Sequence, residues 1–489
     1  MYSLLIRWGN TMDKDCLLQT IHSLKKIAKK EIKKGHWSHV LSIINLLAVI
    51  LYESNPYYKD DDLEWMLSEI SKLYIDDQDY VANDNLVVFY DGFGLNNRGL
   101  AQIYLQALCK YKKVIYVTYE RAKDQIPDIR RILSNNEYPP LFLNGRTNLE
   151  NIQSLCDIIR DVQPKHFFFY STPYDVVGTT ALYAYKGKSI RYQIDLTDHA
   201  FWLGAQAIDI SIEFRNYGAY ISNVYRDIPK EKIVCIPYYP IINNDTKFNG
   251  FPFRFHAEDK VVFSGGSLYK TLGDENKYYT IVRYILDHHK DVIFWYAGSG
   301  DDTEIKKILN EYPGRAFHTD ERSDLFEVLK NSYMYLSTYP VCGGLMFQYA
   351  ALAGKIPITL KNSSISDDFL LNQEKLNIEF YSLDDLYNEI DKILNDQHYH
   401  DEKEKEMISA VITPDMFNEL VSKLLEGRLN ELVEVKYLPV ETESFRHIYI
   451  DRITNKKLDS IIVQRETLFL AKYMPIVFCK GIYRRIMRG

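Results

Sequence analysis

Residues 340–358 read PVCGGLMFQYAALAGKIPI, which combines a loop, a glycine pair, a helical stretch, a third glycine and an apolar strand. Gly343 and Gly344 let the backbone approach a ligand closely, because glycine has no side chain. They also open a helix whose free N–H groups and dipole favour a diphosphate. A glycine pair alone is typical of a tight turn, so the prediction of an anion site depends on the whole pattern.

Apolar runs of strand length alternate with helical patterns along most of the chain. In the first half the runs are residues 86–90, 114–117, 140–143, 166–170, 189–195 and 233–241. In the second half, with their turns, they are residues 261–266, 292–300, 334–338 and 356–360. Such alternation indicates parallel sheets covered by helices on both faces. We therefore predict an α/β fold with two tandem Rossmann-like domains, which bind ligands at the carboxyl ends of their strands.

Changes in composition and in the spacing of apolar residues along the sequence predict four segments. They are a helical N-terminal region over 1–82, Rossmann-like domains over 83–242 and 257–427, and a helical, basic C-terminal tail over 428–489. Residues 471–489 carry five basic and no acidic side chains, with apolar residues between them. A basic amphipathic end can lie on an anionic membrane surface. It can equally pack its apolar side on the body of the protein, and the sequence leaves both open.

Composition excludes several classes of protein. Of 489 residues, 46% are hydrophobic and 26% charged, as in a soluble globular protein. The net charge of −7 gives no field that attracts nucleic acid. The six cysteines lie far apart, which excludes a CxxC metal site and a dense disulfide framework. The longest apolar run, residues 40–52, is shorter than the about 20 residues that a membrane span needs. With no signal pattern at the N-terminus, we expect a cytoplasmic protein.

The glycine-rich segment resembles the donor site of GT-B glycosyltransferases, of the family 4-like and O-GlcNAc-transferase-like kinds. Its companions appear in the same order: residues 263–270 (FSGGSLYK), 296–300 (YAGSG) and 315–318 (RAFH). In the family the first loop supplies a basic residue for the diphosphate, and Lys270 takes that place here. The resemblance implies that residues 257–427 bind the nucleotide sugar, with donor-binding residues Gly265, Gly266, Lys270, Gly298, Gly300, His318, Gly343, Gly344, Leu345 and Gln348.

A loop of the first domain resembles the acceptor side of the same fold. Residues 91–99 (DGFGLNNRG) resemble the glycine-rich loop that follows the first strand of GT-B enzymes. The resemblance makes residues 83–242 the acceptor-side domain. It implies acceptor-side contacts from Gly92, Gly94 and Arg98.

A second segment of that domain, residues 198–204 (DHAFWLG), resembles the strand-end segment that lines the sugar in the family. The resemblance implies catalytic roles for His199 and Asp198, beside that of Lys270, which would stabilise charge on the leaving diphosphate. Histidine is ionised near neutral pH, so His199 can accept a proton from a hydroxyl, and Asp198 is the other candidate base. A histidine after one strand is also typical of a core residue.

The resemblance implies a metal-independent hexosyltransferase of the bacterial surface-glycan type. It would move a sugar from a nucleotide sugar, a UDP-sugar in preference to a GDP-sugar, to a hydroxyl of a glycan, a lipid-linked or a protein acceptor. No other cofactor is expected. The basic tail then suggests peripheral association with the inner membrane face and a place in polysaccharide biosynthesis.

The sequence also departs from the family's pattern. Val341 and Tyr349 occupy the two positions of the family 4-like glutamates, counted back from Gly354. The O-GlcNAc-transferase-like pattern would place a ribose-binding Asp at Tyr349, which leaves Gln348 as a candidate for the ribose hydroxyls. These losses keep open an alternative: a catalytically degenerate GT-B protein that acts as a binding or scaffold partner.

The motifs of other enzyme classes are weaker or absent in this sequence. A GT-A transferase needs a metal-binding DxD after a strand, but residues 60–62 (DDD) and 77–79 (DQD) lie among helical patterns, where solvated acidic loops are expected. A dehydrogenase needs GxGxxG, and residues 91–99 lack the third glycine at the right step. No GxSxG, HExxH or P-loop pattern occurs. A nucleotide-sugar 2-epimerase of the same fold usually lacks a helical N-terminal region and a basic tail.

Overall fold

The computed structural model describes residues 14–75, 79–95, 99–243, 245–361, 368–443, 446 and 455–486. Two compact units divide the chain. Unit 1 contains Met1–Ile236 together with Asn418–Gly489, and unit 2 contains Pro237–Phe417. In this division the helical N-terminal region and the C-terminal segment belong to the same unit as the first sheet. The four predicted segment boundaries stay predictions.

Over residues 14–75, three α-helices precede the first strand of unit 1: α1 (Lys14–Ile32), α2 (Trp37–Ser54) and α3 (Asp61–Ser71). Within the part of the chain that the structure describes, α2 is the one helix long and apolar enough to cross a membrane by length and composition. More than half of α2 is buried inside the protein, and Leu41, Ile44 and Leu47 have no exposed surface. The polar Asn45 of α2 also makes a structural contact, because its side-chain amide donates a 2.8 Å hydrogen bond to the Tyr174 carbonyl.

A parallel sheet forms the centre of unit 1. Its strands are β1 (Asn83–Asp91), β2 (Lys113–Tyr119), β3 (Leu141–Leu143), β4 (Pro164–Tyr170), β5 (Ile190–Ile194), β6 (Ile210–Glu213) and β7 (Ile233–Cys235). They lie in the order β3-β2-β1-β4-β5-β6-β7, and these neighbours pair in parallel. The order reverses between β1 and β4, which is the switch point of this sheet. The intervening helices are α4 (Gly99–Tyr111), α5 (Pro127–Ile132), α6 (Asn148–Val162), α7 (Val176–Ala184) and α8 (Asn216–Val224).

The central strand and its helices follow from local sequence. The last six residues of β1 (LVVFYD) are all buried, the pattern of a strand covered by helices on both faces. Helix α6 begins at a capping box. The Thr147 hydroxyl accepts from the Glu150 N–H at 3.2 Å, and the Glu150 carboxylate accepts from the Thr147 N–H at 3.3 Å.

A second parallel sheet forms the centre of unit 2. Its strands are β8 (Lys260–Gly265), β9 (Val292–Ala297), β10 (Ala316–Thr319), β11 (Met334–Leu336), β12 (Pro357–Leu360) and β13 (Glu379–Phe380). They lie in the order β10-β9-β8-β11-β12-β13, so the switch point falls between β8 and β11. The helices are α9 (Lys277–His288), α10 (Thr303–Glu311), α11 (Leu325–Lys330), α12 (Gly344–Leu352), α13 (Leu383–Asn395) and α14 (Gln397–Ser409).

Three further helices follow in the part of the chain that the structure describes: α15 (Pro414–Leu425), which spans the unit boundary, α16 (Asn455–Ile462) and α17 (Pro475–Ile486). The C-terminal segment packs one side into the core of unit 1, where Leu470 and Phe478 are buried. The Tyr473 hydroxyl donates a 2.6 Å hydrogen bond to buried Glu31 of α1. Ile476 is 65% exposed, so the segment also has an apolar outer side.

The predicted fold class is confirmed: two Rossmann-like parallel sheets with a helical N-terminal extension. Three strands were missed from the sequence: β6, β10 and β13. Only the first of the four residues of β10 (AFHT) is buried. The four residues of β6 (ISIE) include Ser211 and Glu213, which interrupt the apolar run although both are buried. Strand β13 has two residues, too few to carry a pattern.

Candidate functional site

Three of the predicted donor-site residues of unit 2, Lys270, Gly343 and Gly344, lie at its switch point. Strands β8 and β11 are neighbours, so the loops that follow them leave the sheet side by side. A backbone hydrogen bond of 3.3 Å joins the two loops, from the Val341 N–H to the Lys270 carbonyl. The structure thus brings together Lys270 and the glycine pair, which are more than 70 residues apart in sequence.

Lys270 lies in a short helical turn, Leu268–Thr271, and is partly buried. Its Nζ lies 3.6 Å from the position that a Cβ on Gly343 would occupy. Burial lowers the pKa of this ammonium, and the neighbouring Cys342 opposes the shift in part. None of the carboxylates in the described residues forms an ion pair with it. Its charge is therefore held beside the start of α12 without a protein counter-ion in that part of the chain.

The start of α12 is open to an anion. Gly343 is the N-cap residue and has no side chain to cap the helix. The first N–H groups of any helix lack intrahelical partners, and the helix dipole adds partial positive charge there. Leu345 in the first turn is 49% exposed. Gly344 has a different reason to be glycine, because a Cβ there would lie 2.4 Å from Cε1 of the Phe369 ring.

The other predicted glycines shape the adjoining turns after β8 and β9. A Cβ on Gly298 would lie 1.9 Å from the Gly266 carbonyl oxygen, so only glycine lets the two turns touch. Gly265 ends β8, and Gly300 continues the turn after β9. The Leu268 N–H donates to the Ser299 carbonyl at 2.8 Å, which fixes the turns to each other.

Three polar residues near this point support the backbone. His318 on β10 pairs its Nε2 with the Gly298 carbonyl at 2.8 Å. Gln348 is buried, and its amide donates 3.1 Å hydrogen bonds to the carbonyls of Tyr238 and Phe369. Tyr349, in a position where the family carries an acid, donates its hydroxyl to the Ile241 carbonyl at 2.9 Å. Donor contacts from His318 and Gln348 stay predictions.

In unit 1 the predicted pair Asp198 and His199 follows β5. Asp198 is buried, and Arg215 donates to it from Nε at 2.6 Å and from Nη2 at 3.1 Å. His199 Nδ1 lies 3.4 Å from Asp198 Oδ1, and its side chain is 33% exposed. Burial alone would raise the pKa of Asp198, but the Arg215 charge holds it well below its usual range. Asp198 is therefore an ionised group beside His199, and the His199 imidazole is the more exposed of the two side chains.

The sequence analysis missed the buried charges around this pair. Arg226 donates from Nη2 to the carbonyls of Thr197, Asp198 and Ala200 at 3.1, 3.1 and 2.7 Å, which fixes the loop that carries His199. Burial, together with the charge of Asp195, raises the pKa of Glu213 to about 8.

Arg215 follows β6 directly, and Glu213 closes that strand. If β6 had been recognised as a strand in the sequence, both residues would have been found as site candidates. A charged residue at the carboxyl end of a parallel strand is a site candidate.

The glycine loop of unit 1 follows β1 and is held by Asp91. The Asp91 carboxylate accepts the N–H groups of Phe93 and Gly94 at 3.0 and 2.9 Å. A Cβ on Gly92 would lie 1.8 Å from the Ser171 hydroxyl oxygen, so glycine is required where the β1 and β4 loops meet. Acceptor contacts from Gly92 and Gly94 stay predictions. Arg98, and residues 77–78 of the DQD motif, lie outside the described residues.

Among the described residues, two groups of side chains have metal-ligand character, although no metal was expected: Glu31 with His36 and His39, and His400 with Asp401 and Glu404. The ligand atoms of each group lie within 4.8 Å of one another. In the first, burial would raise the pKa of Glu31, but hydrogen bonds from Lys34, Tyr473 and the histidines hold it well below its usual range. The Lys34 ammonium already forms an ion pair with the Glu31 carboxylate, with Nζ 2.8 Å from Oε1.

No protein-family model and no curated protein sequence matches the chain. Solved structures match its fold. An O-GlcNAc transferase mutant from Thermobaculum terrenum aligns over 79% of this chain and 77% of its own, with 12% identity and a TM-score of 0.51. A glycosyltransferase from Rickettsia africae aligns over 71% of this chain and 100% of its own, with 10% identity and a TM-score of 0.50. At such low identity the likeness shows the fold, and that fold is GT-B, as predicted.

Proposed function

We propose that this chain is a glycosyltransferase that moves a hexosyl group from a nucleotide sugar to an acceptor hydroxyl. One observation carries the proposal. At the switch point of unit 2, the Lys270 ammonium lies beside Gly343, at the uncapped start of α12. A diphosphate bound there would meet a full positive charge and free N–H groups together.

The chemistry assigned to this site is stabilisation of the leaving group. The acceptor oxygen bonds to the anomeric carbon while the bond from that carbon to the diphosphate oxygen breaks. Negative charge then grows on the departing nucleoside diphosphate. Lys270 and the N–H groups of α12 are fixed donors that stabilise this charge without rearranging. Because they supply the positive charge, we propose that transfer does not depend on a divalent metal.

The proton of the acceptor hydroxyl is assigned to His199 of unit 1. Its imidazole is partly exposed, and Asp198 is held ionised beside it by Arg215. A carboxylate next to an imidazole orients the ring and stabilises the charged form that appears when the proton arrives. Asp198 itself is a positioning residue in this proposal, because Arg215 occupies both of its oxygens.

The remaining assignments extend the same proposal. The donor is a UDP-sugar in preference to a GDP-sugar, and the acceptor is a glycan, a lipid-linked glycan or a protein. A cytoplasmic location with peripheral contact at the inner membrane face is supported by the exposed Ile476 and the basic residues of 471–489. Polysaccharide biosynthesis is the pathway type that these features suit.

A second candidate function is a degenerate GT-B protein that binds a partner without transferring sugar. Tyr349 favours it, because its hydroxyl bonds the Ile241 carbonyl in a position where related enzymes place a ligand-binding acid. Val341 similarly brings no side-chain donor or acceptor to the loop. The two candidates differ in whether unit 2 holds a nucleotide.

The test is a calorimetric titration of the full chain with UDP, GDP, ADP and their sugars. Three proteins are compared: the wild type, Lys270→Ala and Lys277→Ala. Lys277 is a matched control, since it lies seven residues on and already pairs with Asp274 at 2.9 Å. We expect one base to bind the wild type and the control, and Lys270→Ala to bind it at least about tenfold more weakly. If none of the nucleotides binds at millimolar concentration, the transferase function is contradicted and the scaffold function is favoured.

A further inference from the structure

The C-terminal end of helix α2 reaches the loop that carries His199, residues 197–206, which we call the His199 loop. Earlier along its length, α2 lines a cavity of about 550 Å³ at the switch point of unit 1. Gly92, a predicted acceptor contact, lines the same cavity, which therefore belongs to the predicted acceptor side. Beyond that lining, the Asn55 side chain contacts the His199 loop. The helical N-terminal region is thus in direct contact with the loop of the proposed base.

Asn55 makes two side-chain hydrogen bonds to the His199 loop. Its Nδ2 donates to the His199 carbonyl at 3.0 Å, and its Oδ1 accepts from the Phe201 N–H at 3.1 Å. A carboxamide carries both a donor and an acceptor, so one side chain satisfies these two backbone groups together. Asn55 has no exposed surface. Because water cannot take its place there, removal of the carboxamide leaves both backbone groups without their partner.

The backbone of Asn55 explains why this residue type stands here. Asn55 is the C-cap residue of α2, with φ of 40° and ψ of 49°, in the left-handed region. Its N–H donates to the Leu51 carbonyl at 2.8 Å, which closes the last turn of the helix. Asparagine adopts this conformation more readily than other residues with a side chain, and glycine adopts it freely. Ending the helix and holding the loop are therefore separable, since glycine can do only the first.

Helix α3 holds the other end of the same loop. The Glu64 Oε1 accepts from the Gly204 N–H at 2.8 Å, and Glu64 Oε2 accepts from the hydroxyl of Tyr183 on α7. Glu64 is buried. Helices α2 and α3 thus hold the His199 loop at two points, on either side of Trp202.

The segment between α2 and α3 also supports Arg226, which donates to three carbonyls of the His199 loop. The Arg226 guanidinium carbon lies 5.5 Å from the centroid of the Tyr58 ring and 4.8 Å from that of Trp202. All three side chains are buried. Cation–π contacts of this kind are strongest away from water. Tyr58 therefore helps to hold the arginine that fixes the loop.

We propose that Asn55 is a positioning residue for His199, and that the helical N-terminal region serves the reaction through it. Asn55 holds the carbonyl of His199 itself and the N–H two residues on, so the backbone that carries the imidazole is fixed on both sides. A base must lie within hydrogen-bond reach of the acceptor proton, and a displacement of about 1 Å can cost about 10²-fold in rate. Because His199 is the base of the proposed transfer, this role rests on the proposed function.

The test follows the His199 ring and the transfer rate in the full chain. Nitrogen-15 NMR of neutral histidine rings distinguishes protonation at Nδ1 from protonation at Nε2, and the His199 signal is the one that His199→Gln removes. UDP release from UDP-glucose and UDP-N-acetylglucosamine, with octyl β-D-glucoside as the acceptor, gives kcat and KM. Asn55→Gly keeps the left-handed backbone and removes the carboxamide. Asn55→Asp keeps an acceptor for the Phe201 N–H and decides the test if the glycine variant does not fold.

Gln163→Gly is the matched control. Gln163 ends α6 in the same left-handed conformation, with φ of 48°. Its carboxamide also binds two backbone groups: Nε2 donates to the Asp79 carbonyl at 3.1 Å, and Oε1 accepts from the Val81 N–H at 3.3 Å. These groups precede β1 and β4, at the amino ends of the strands, whereas the His199 loop follows the carboxyl end of β5. The control removes the same kind of contact away from the base.

We expect His199 in the wild type and in Gln163→Gly to be protonated at Nδ1, which faces Asp198 Oδ1 at 3.4 Å. Asn55→Gly mixes the two ring forms and lowers kcat about 10–100-fold with the KM for the nucleotide sugar unchanged, and Asn55→Asp falls between. Thermal unfolding checks that the variants fold.

The proposal is overturned if folded Asn55→Gly keeps the wild-type ring form and kcat, or if Gln163→Gly changes both as much. If the wild type releases no UDP, transfer with these probes fails, and the ring form alone decides whether Asn55 positions His199.

Discussion

The two switch points of this protein share a topology and differ in charge. In unit 2, Lys270 has no carboxylate partner in the described residues, and α12 starts at a glycine that cannot cap it. In unit 1, Asp175 caps α7, and its other oxygen accepts from the hydroxyls of Tyr90 and Ser171. The same fold position therefore differs in charge between the two units, and our proposal places an anion only at the one in unit 2. Under that proposal, the position in the fold indicates where a ligand binds, and the capping residue decides which charge it accepts.

The largest effect is expected from His199, which separates the roles of the two units. His199→Gln removes the proposed base of unit 1 and leaves unit 2 untouched. We expect kcat to fall by about 10²–10⁴-fold with donor affinity unchanged. Steady-state transfer kinetics and donor titration measure the two quantities. His22→Gln, on the exposed side of α1, is the control. A change in donor affinity alone would contradict the division.

The next effect tests the switch point of unit 1, where Asp175 caps the start of α7. Asp175→Ala leaves the Ser171 hydroxyl and the first N–H groups of α7 without their acceptor in a buried site, and, among the described residues, the Tyr90 hydroxyl keeps only Tyr119 as a partner. We expect the free energy of unfolding to fall by about 3 kcal/mol, measured by denaturant titration. Ser382→Ala removes an exposed cap from α13 and should cost about 1 kcal/mol. Equal losses in the two variants would show that burial of the Asp175 network adds nothing.

A smaller effect is expected when unit 2 is given the character of unit 1. Gly343→Asp adds a cap to α12 and a carboxylate close to Lys270, and a Cβ fits at Gly343 in ordinary contact distances. We expect nucleotide affinity to fall about tenfold while stability stays equal or rises by about 1 kcal/mol. Gly343→Asn caps without charge and is the control. If both variants bind nucleotide alike, charge at this position does not select the ligand.

The last effect is a pH dependence and concerns the buried acid beside the His199 loop. Because the pKa of Glu213 is raised to about 8, folded protein holds a proton there that unfolded chain has lost above about pH 4.5. The free energy of unfolding then falls as pH rises from about 4.5 to 8. Glu213→Gln mimics the neutral acid, so its stability should fall less over that window, by about 1 kcal/mol per pH unit. Parallel stability curves for the two proteins would contradict the raised pKa.

The sequence predicted the parts of the site that depend on local pattern. A strand, a glycine turn and a helix are each short-range features, so Lys270, Gly298 and the Gly343 loop could be placed at strand ends. It could not predict that Arg215 pairs with Asp198, because their contact depends on β6, which has no apolar run.

The cavity at the switch point of unit 1 could not be predicted from the sequence either. Its walls come from α2 and residues 461–467, which lie about 400 residues apart in sequence. Helical periodicity shows that such segments bury one face, but it does not show which loops they cover. The capped helix starts of unit 1 were partly readable: Thr147 and Glu150 have the spacing of a capping box. Their consequence for ligand charge required the structure.

The central claim is that the switch point of unit 2 holds the diphosphate of a nucleotide sugar. A crystal structure of the full chain with the nucleotide that binds in titration tests it most directly. The account predicts diphosphate oxygens within hydrogen-bond distance of Lys270 Nζ and of the N–H groups at the start of α12. A nucleotide bound elsewhere, such as in the cavity of unit 1, would contradict the account.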